Sequence, residues 1–181
     1  MKETFQNLIA YLKNPILEKD PNTDLNYRFK IFFQILVIDI ITIIPIVILF
    51  YVFEELKWVT EEDFIIDSIF ENWGYIKTII FGAIVAPIIE ELLFRAPLTT
   101  FTKPKSFKIA FYTFAVFFGF IHITNYELST KIILLSPILI LPQLLGAGYL
   151  GYLRVRFGLR WSILMHATFN FLLVNLEFLF D

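Results

Sequence analysis

The only two histidines of the chain, His122 and His166, stand in strongly apolar runs, and a third such run carries Glu90-Glu91-Leu-Leu-Phe-Arg95. An ionisable side chain placed in hydrocarbon costs at least about 2.5 kcal/mol, so such groups persist where they have partners or work to do. Carboxylates beside imidazoles are the materials of acid–base hydrolysis: the carboxylate takes a proton from water, and an imidazole holds that water or donates to an oxyanion. The economical reading is one shared polar site.

Helical spacing sorts the groups. Glu91 and Arg95 are four residues apart and share a helix face, where they can pair. Arg95 cannot shed its charge and needs that acid. Glu90 is turned about 100° away, which leaves it as the candidate general base. Phe118 and His122 make a second four-residue step, and His166 and Asn170 a third that presents two donors suited to an oxyanion. Glu90 with His122 can hold and deprotonate a water. Depth tests whether these groups meet. With a straight helix to Lys103, Glu90 lies about 20 Å from that end, His122 about 21 Å past Lys108, His166 only about 9 Å past Arg160 and Asn170 about 15 Å. Tilt or a kink has to close the gap. Glu90, His122 and His166 could instead hold zinc with an open water position. Against zinc, no His-Glu-x-x-His helix is present, and Glu90 would have to serve as ligand and base together. No metal or other cofactor is favoured, with zinc as the alternative.

The elements that carry these residues are membrane helices. The 181 residues are 57% hydrophobic with 22 Phe, more apolar surface than a soluble domain of this size can bury. Net charge is −2 without a basic stripe, so a nucleic-acid partner is excluded, and the absence of cysteine removes disulfides and thiolate chemistry. The expected fold is all-α, a polytopic bundle with five spans at about 29–53, 75–101, 107–124, 132–153 and 161–180. Residues 1–28, with Phe5, Leu8, Ile9 and Leu12 at helical spacing and a turn at Pro21-Asn-Thr-Asp24, form a cytoplasmic or interfacial segment with a short helix. Residues 29–181 form one membrane domain, its catalytic core at about 75–181. Eleven Lys and Arg fall on one side of the spans, including Arg154, Arg156 and Arg160, against Lys57, Lys77 and Lys131 on the other, which puts the N-terminus in the cytoplasm and the C-terminus outside. An acidic connection, 54–71, has seven carboxylates. Pro45, Pro87, Pro137 and Pro142 mark bends, and Gly146, Gly148 and Gly151 mark close packing. Asp39, inside the first span, has no evident partner in sequence unless Arg28 or another helix supplies one.

Glu-Glu-x-x-x-Arg, then Phe-x-x-x-His, then His-x-x-x-Asn, in order on successive apolar helices, resembles the CAAX protease and bacteriocin-processing (Abi) family of intramembrane endopeptidases, over about residues 79–171. The resemblance implies that Glu90 and His122 activate the attacking water, that His166 and Asn170 form the oxyanion site, and that Glu91, Arg95 and Phe118 support them. It implies a peptide or protein substrate whose tail enters the membrane, for CAAX-type processing, peptide maturation or self-immunity. Ala96 departs from the glycine many members carry there. The short chain is similar to prokaryotic members, which implies a prokaryotic plasma membrane. Two other classes compete: a proton-coupled transporter using Asp39, Glu90, Glu91 and the histidines as a relay, and a non-catalytic immunity protein. Five spans without an internal repeat suit the transporter poorly.

Overall fold

The computed structural model describes residues 1–180, with the backbone alone at Glu61, Asp67, Ser68, Phe70, Glu71 and Phe180. Helices α1 (Lys2–Lys13), α2 (Leu25–Glu55), α3 (Ile65–Thr78), α4 (Ala86–Phe94), α5 (Pro104–Ile121), α6 (Thr130–Leu139), α7 (Leu141–Arg156) and α8 (Leu159–Phe180) follow in order, and no strand forms among the described residues. Four helical stretches are long and apolar enough to cross a membrane: Leu25–Glu55, Pro104–Asn125, Thr130–Arg156 and Leu159–Leu179. The outward faces of α2 and α5 stay apolar and exposed, as at Ile41, Val47, Ile109 and Phe117. Lipid is the solvent that such faces require.

The second expected span differs. Instead of one long helix, its backbone leaves the helical region at Gly74 (φ 68°), winds as a π-helix over Ile79–Val85, returns to α winding in α4, and gives way after Phe94 to a 3₁₀ turn at Pro97–Thr100. Pro87 explains part of this. The Ala86 N–H bonds Phe81 O, a five-residue step, and the next such bond would need an N–H that Pro87 does not have. The early stop also shifts Glu90. It lies four residues, about 6 Å, from the end of α4, not about 20 Å from the membrane surface as a straight helix to Lys103 requires.

Helix α1 carries the expected amphipathic spacing and seats its apolar face on the bundle, with Leu8 and Tyr11 buried. Leu12 comes so close to α7 that a Cβ at Gly148 would stand 2.8 Å from its Cδ2, and at Gly151 a Cβ would meet Phe111 at 2.7 Å. Small residues here let α1 and α5 close on α7. Tyr112 ties down the end of α1 by donating to Leu12 O at 2.9 Å. The following turn is built by Asp20 and Asn22, which accept from the Asn22 and Asp24 N–H groups at 2.9 Å each, and Asp24 then caps α2 by accepting from Tyr27 N–H at 2.8 Å.

The main core joins α1, α2, α5, α7 and α8 through Leu8, Phe32, Ile35, Phe107, Leu153 and Met165. A smaller cluster of Phe53, Val59, Tyr126, Ile132 and Leu139 docks the acidic connection on the α5–α6 turn. There Asp63 O accepts from Glu127 N–H at 2.8 Å and its carboxylate pairs with Lys131 at 2.6 Å. The described end of the acidic connection is therefore fastened to the segment that follows His122.

Candidate active site

α4, α5 and α8 deliver the polar groups to one place. α8 packs along both α4 and the π-helical segment, and α4 also touches α5. Glu90 Oε2 lies 3.6 Å from His166 Nε2 and 4.0 Å from His122 Nε2. Both imidazoles are oriented from behind. His122 Nδ1 is 2.7 Å from Phe118 O, and His166 Nδ1 is 3.2 Å from Glu91 Oε1. A carbonyl only accepts, so the His122 proton on that side sits on Nδ1 and donates; the carboxylate of Glu91 selects the same for His166. Each ring thus turns its Nε2 toward the same carboxylate oxygen.

Beneath this pair lies a second layer of charge. Glu91 is fully buried and Arg95 is 3% exposed, yet they meet at 3.4 Å, the expected i,i+4 pair. Glu91 Oε1 therefore serves Arg95 and His166 together, a link from α4 to α8 that local spacing could not disclose. Arg95 has a further partner in Phe118, whose ring lies 3.9 Å from the guanidinium carbon. A desolvated cation on a ring face is stabilised by about 2 kcal/mol. The same ring packs 4.7 Å from the His122 ring and 5.7 Å from the His166 ring, measured between centroids. Phe118 thereby joins the ion pair to both imidazoles.

Asn170 stands one turn beyond His166 on α8 and donates through Nδ2 to Gly82 O at 2.9 Å. Gly82 is the carbonyl that Pro87 leaves without its five-residue partner in the π-helical segment. The asparagine satisfies it, which fixes α8 against the helix that carries Glu90 and leaves one amide N–H for other use.

One residue of the site was read in sequence only as a topology signal. Arg154, on α7, donates through Nε to Arg95 O at 2.9 Å and through Nη2 to Thr99 Oγ1 at 2.7 Å. It caps the C-terminal end of α4, where carbonyls lack helical partners and a cation is favoured. Its place six residues before Arg160 in a basic cluster hid this role.

Beside the site, Phe94, Phe114, Phe117, Phe120 and Ile121 line an apolar groove of about 390 Å³. Phe94 is one turn from Glu90, and Ile121 precedes His122. The donor types of Glu90, His122 and His166 match a zinc site, but among the described residues no three His, Cys, Asp or Glu side chains form a group closed enough to hold a metal ion.

A family model described as type II CAAX prenyl endopeptidase, Rce1-like, matches residues 72–172, more than half of the chain. The chain belongs to this family. No curated protein and no solved structure matches it. The matched stretch runs from α3 into α8 and includes every polar group described above, from Glu90 to Asn170. With four membrane-length apolar helices around that core, this Rce1-like chain is an integral membrane protein of a CAAX-type endopeptidase family.

Proposed function

We propose that this protein hydrolyses a peptide bond in the tail of a peptide or protein substrate that reaches the site from the bilayer or the cytosol. The observation that carries the reading is the approach of two oriented Nε2 atoms to one oxygen of Glu90. His122 Nε2 accepts a hydrogen bond from one O–H of a water, and the Glu90 carboxylate accepts one from the other O–H. As the water oxygen bonds the carbonyl carbon, its proton passes to Glu90, and the carbonyl electron pair moves onto oxygen. His166, protonated on Nε2 while Glu91 holds its Nδ1–H, and the second amide N–H of Asn170 stabilise that oxyanion. Its collapse breaks the C–N bond, and the proton held by Glu90 goes to the leaving amine.

The proposed mechanism uses no metal, because Glu90 is the carboxylate placed to act as base. Zinc would have to draw on Glu90, His122 and His166, which supply suitable donors but do not close around an ion in this structure, and it would supply a polarised water. The phenylalanine-lined groove would take the apolar part of the substrate, a prenyl chain in the case of a CAAX substrate. Counting the broken segment 75–101 as a fifth crossing, we place the N-terminus in the cytoplasm and the C-terminus outside on the eleven-to-three asymmetry of basic residues, and we assign a prokaryotic plasma membrane on the similarity to short prokaryotic members.

The test uses purified protein in lipid nanodiscs with a farnesylated CAAX peptide as probe, products being identified by mass spectrometry. Cleavage resistant to chelators and absent from Glu90→Gln is the expected result. Cleavage by Glu90→Gln at the wild-type rate contradicts the role of Glu90, and loss on chelation with recovery on adding zinc contradicts the metal-free mechanism.

A further inference from the structure

Gln143 lies in the first turn of α7, inside an apolar run where a carboxamide has no packing advantage. Residues four, seven and eleven apart share a helix face, so Gln143, Ala147, Leu150 and Arg154 form one stripe along α7. Arg154 fixes where that stripe points, since its guanidinium reaches Arg95 O and Thr99 Oγ1 at the end of α4. Ala147 and Leu150 on it are buried. The stripe is thus turned toward the end of α4, on a helix that packs against both α5 and α8, the helices that present His122 and His166.

The depth agrees as well. A Cβ at Gly119 of α5 would stand 3.7 Å from Leu144 Cβ, so Gly119, three residues before His122, is level with the residue after Gln143. Gln143 therefore enters the bundle at the level where α5 ends and presents His122.

Its chemistry is unused by the fold. Gln143 Oε1 is enclosed and accepts from no described residue. Asn170, the other carboxamide of the site, already donates to Gly82 O. An unpaired buried polar group costs about 1–3 kcal/mol, a loss that leucine at this position would avoid. Resting on the peptidase reading above, we propose that the Gln143 carboxamide hydrogen-bonds a peptide unit of the substrate main chain beside the scissile bond. One acceptor and two donors complement an N–H and a C=O of an extended chain. A substrate drawn into a membrane cleft loses water from those groups and needs a partner of this kind.

The experiment compares wild type with Gln143→Leu on the farnesylated CAAX peptide in nanodiscs. In the active enzyme, kcat/KM is expected to fall about tenfold, the equivalent of one hydrogen bond of about 1.4 kcal/mol. In a Glu90→Gln background, where the peptide stays intact, its Kd is expected to rise by a similar factor. Thermal stability should stay level or rise, because an unpaired polar group has been removed. Gln143→Met, which keeps the side-chain length, carries the same expectations and guards against a packing defect of leucine. Wild-type cleavage with both variants within twofold of it overturns the inference alone, as does a fall in Tm in both variants. Absence of wild-type cleavage overturns the peptidase reading and this inference with it.

Discussion

Two regions of the bundle bury carboxylates in apolar helices, and they are built differently. Around Glu90 and Glu91 of α4, the helix's own Arg95 at 3.4 Å and the imidazoles of two other elements, His166 at 3.2 and 3.6 Å and His122 at 4.0 Å, bring opposite charge or its potential. Asp39 of α2 is nearly as enclosed as Glu91, at 3% exposure, yet its Oδ1 has no hydrogen-bond donor among the described residues. The hydroxyls nearby look elsewhere. Thr42 donates to the main-chain oxygen of Asp39 at 2.9 Å, and Tyr149 donates to Thr42 Oγ1 at 3.2 Å. Arg28, the partner that sequence offered, donates instead to Asn22 O at 2.9 Å and stacks on Phe157. Burial alone therefore does not make a site. What distinguishes α4 is that two further helical segments each supply an imidazole nitrogen to one oxygen of Glu90.

Substitutions should break this contrast unequally. Glu90→Gln should lower the rate of peptide cleavage by about 10²–10⁴, the usual contribution of a general base, while the protein still folds; product formation by mass spectrometry checks it. Arg95→Met leaves Glu91 with His166 alone and should destabilise the fold by about 3–5 kcal/mol, as expected on breaking a buried pair. Adding Glu91→Gln should recover part of that loss in thermal unfolding, because the stranded charge is gone. Asn170→Ala should cost about 1–3 kcal/mol through the exposed need of Gly82 O. Pro87→Ala in that background should recover some of it, since residue 87 regains an N–H; comparing the single and double variants by thermal unfolding isolates this coupling. Asp39→Leu should leave cleavage unchanged, unlike Glu90→Gln, and hold or raise Tm, unlike Arg95→Met.

The smallest effect lies outside the membrane. Desolvation works to raise the Asp63 carboxyl, but Lys131 at 2.6 Å and the hydrogen bonds from Thr60 outweigh it and hold the group below the usual carboxylate range. A depressed pKa stabilises the folded state above the ordinary aspartate value of about 3.9 and is lost as pH falls below it through the folded value. Protection of the Thr60 and Glu127 amides, relative to their intrinsic exchange rates at each pH, should fall only in that acid range, and Asp63→Asn should lower it at neutral pH.

Sequence spacing disclosed the chemistry well and its assembly poorly. Pairs on one helix face, such as Glu91 with Arg95, follow from 3.6 residues per turn and appear as expected. The amphipathic N-terminal helix and four apolar spans are equally direct consequences of composition and period. Contacts between helices are not, because rotation and crossing angle depend on the whole surface of each partner. Glu91 reaching His166 across 75 positions is of this kind, as is the use of Arg154 as a cap rather than a topology signal. The depth of about 20 Å for Glu90 requires a helix continuous to Lys103, whereas α4 ends at Phe94 and the chain turns at Pro97–Thr100. Pro97 and Pro104 are local hints of that stop, and Pro87 of the freed Gly82 carbonyl, but the contact of the π-wound Ile79–Val85 with α8 is not carried by local sequence.

The central claim is that Glu90, His122 and His166 act on one peptide bond as a unit, the first two on the attacking water and His166 on the oxyanion. Cleavage rates of Glu90→Gln, His122→Ala and His166→Ala, singly and combined, test it most directly. If they form one device, the triple variant is no slower than the most damaged single variant. Losses that multiply from one substitution to the next, or a single variant that retains the full rate, would contradict it.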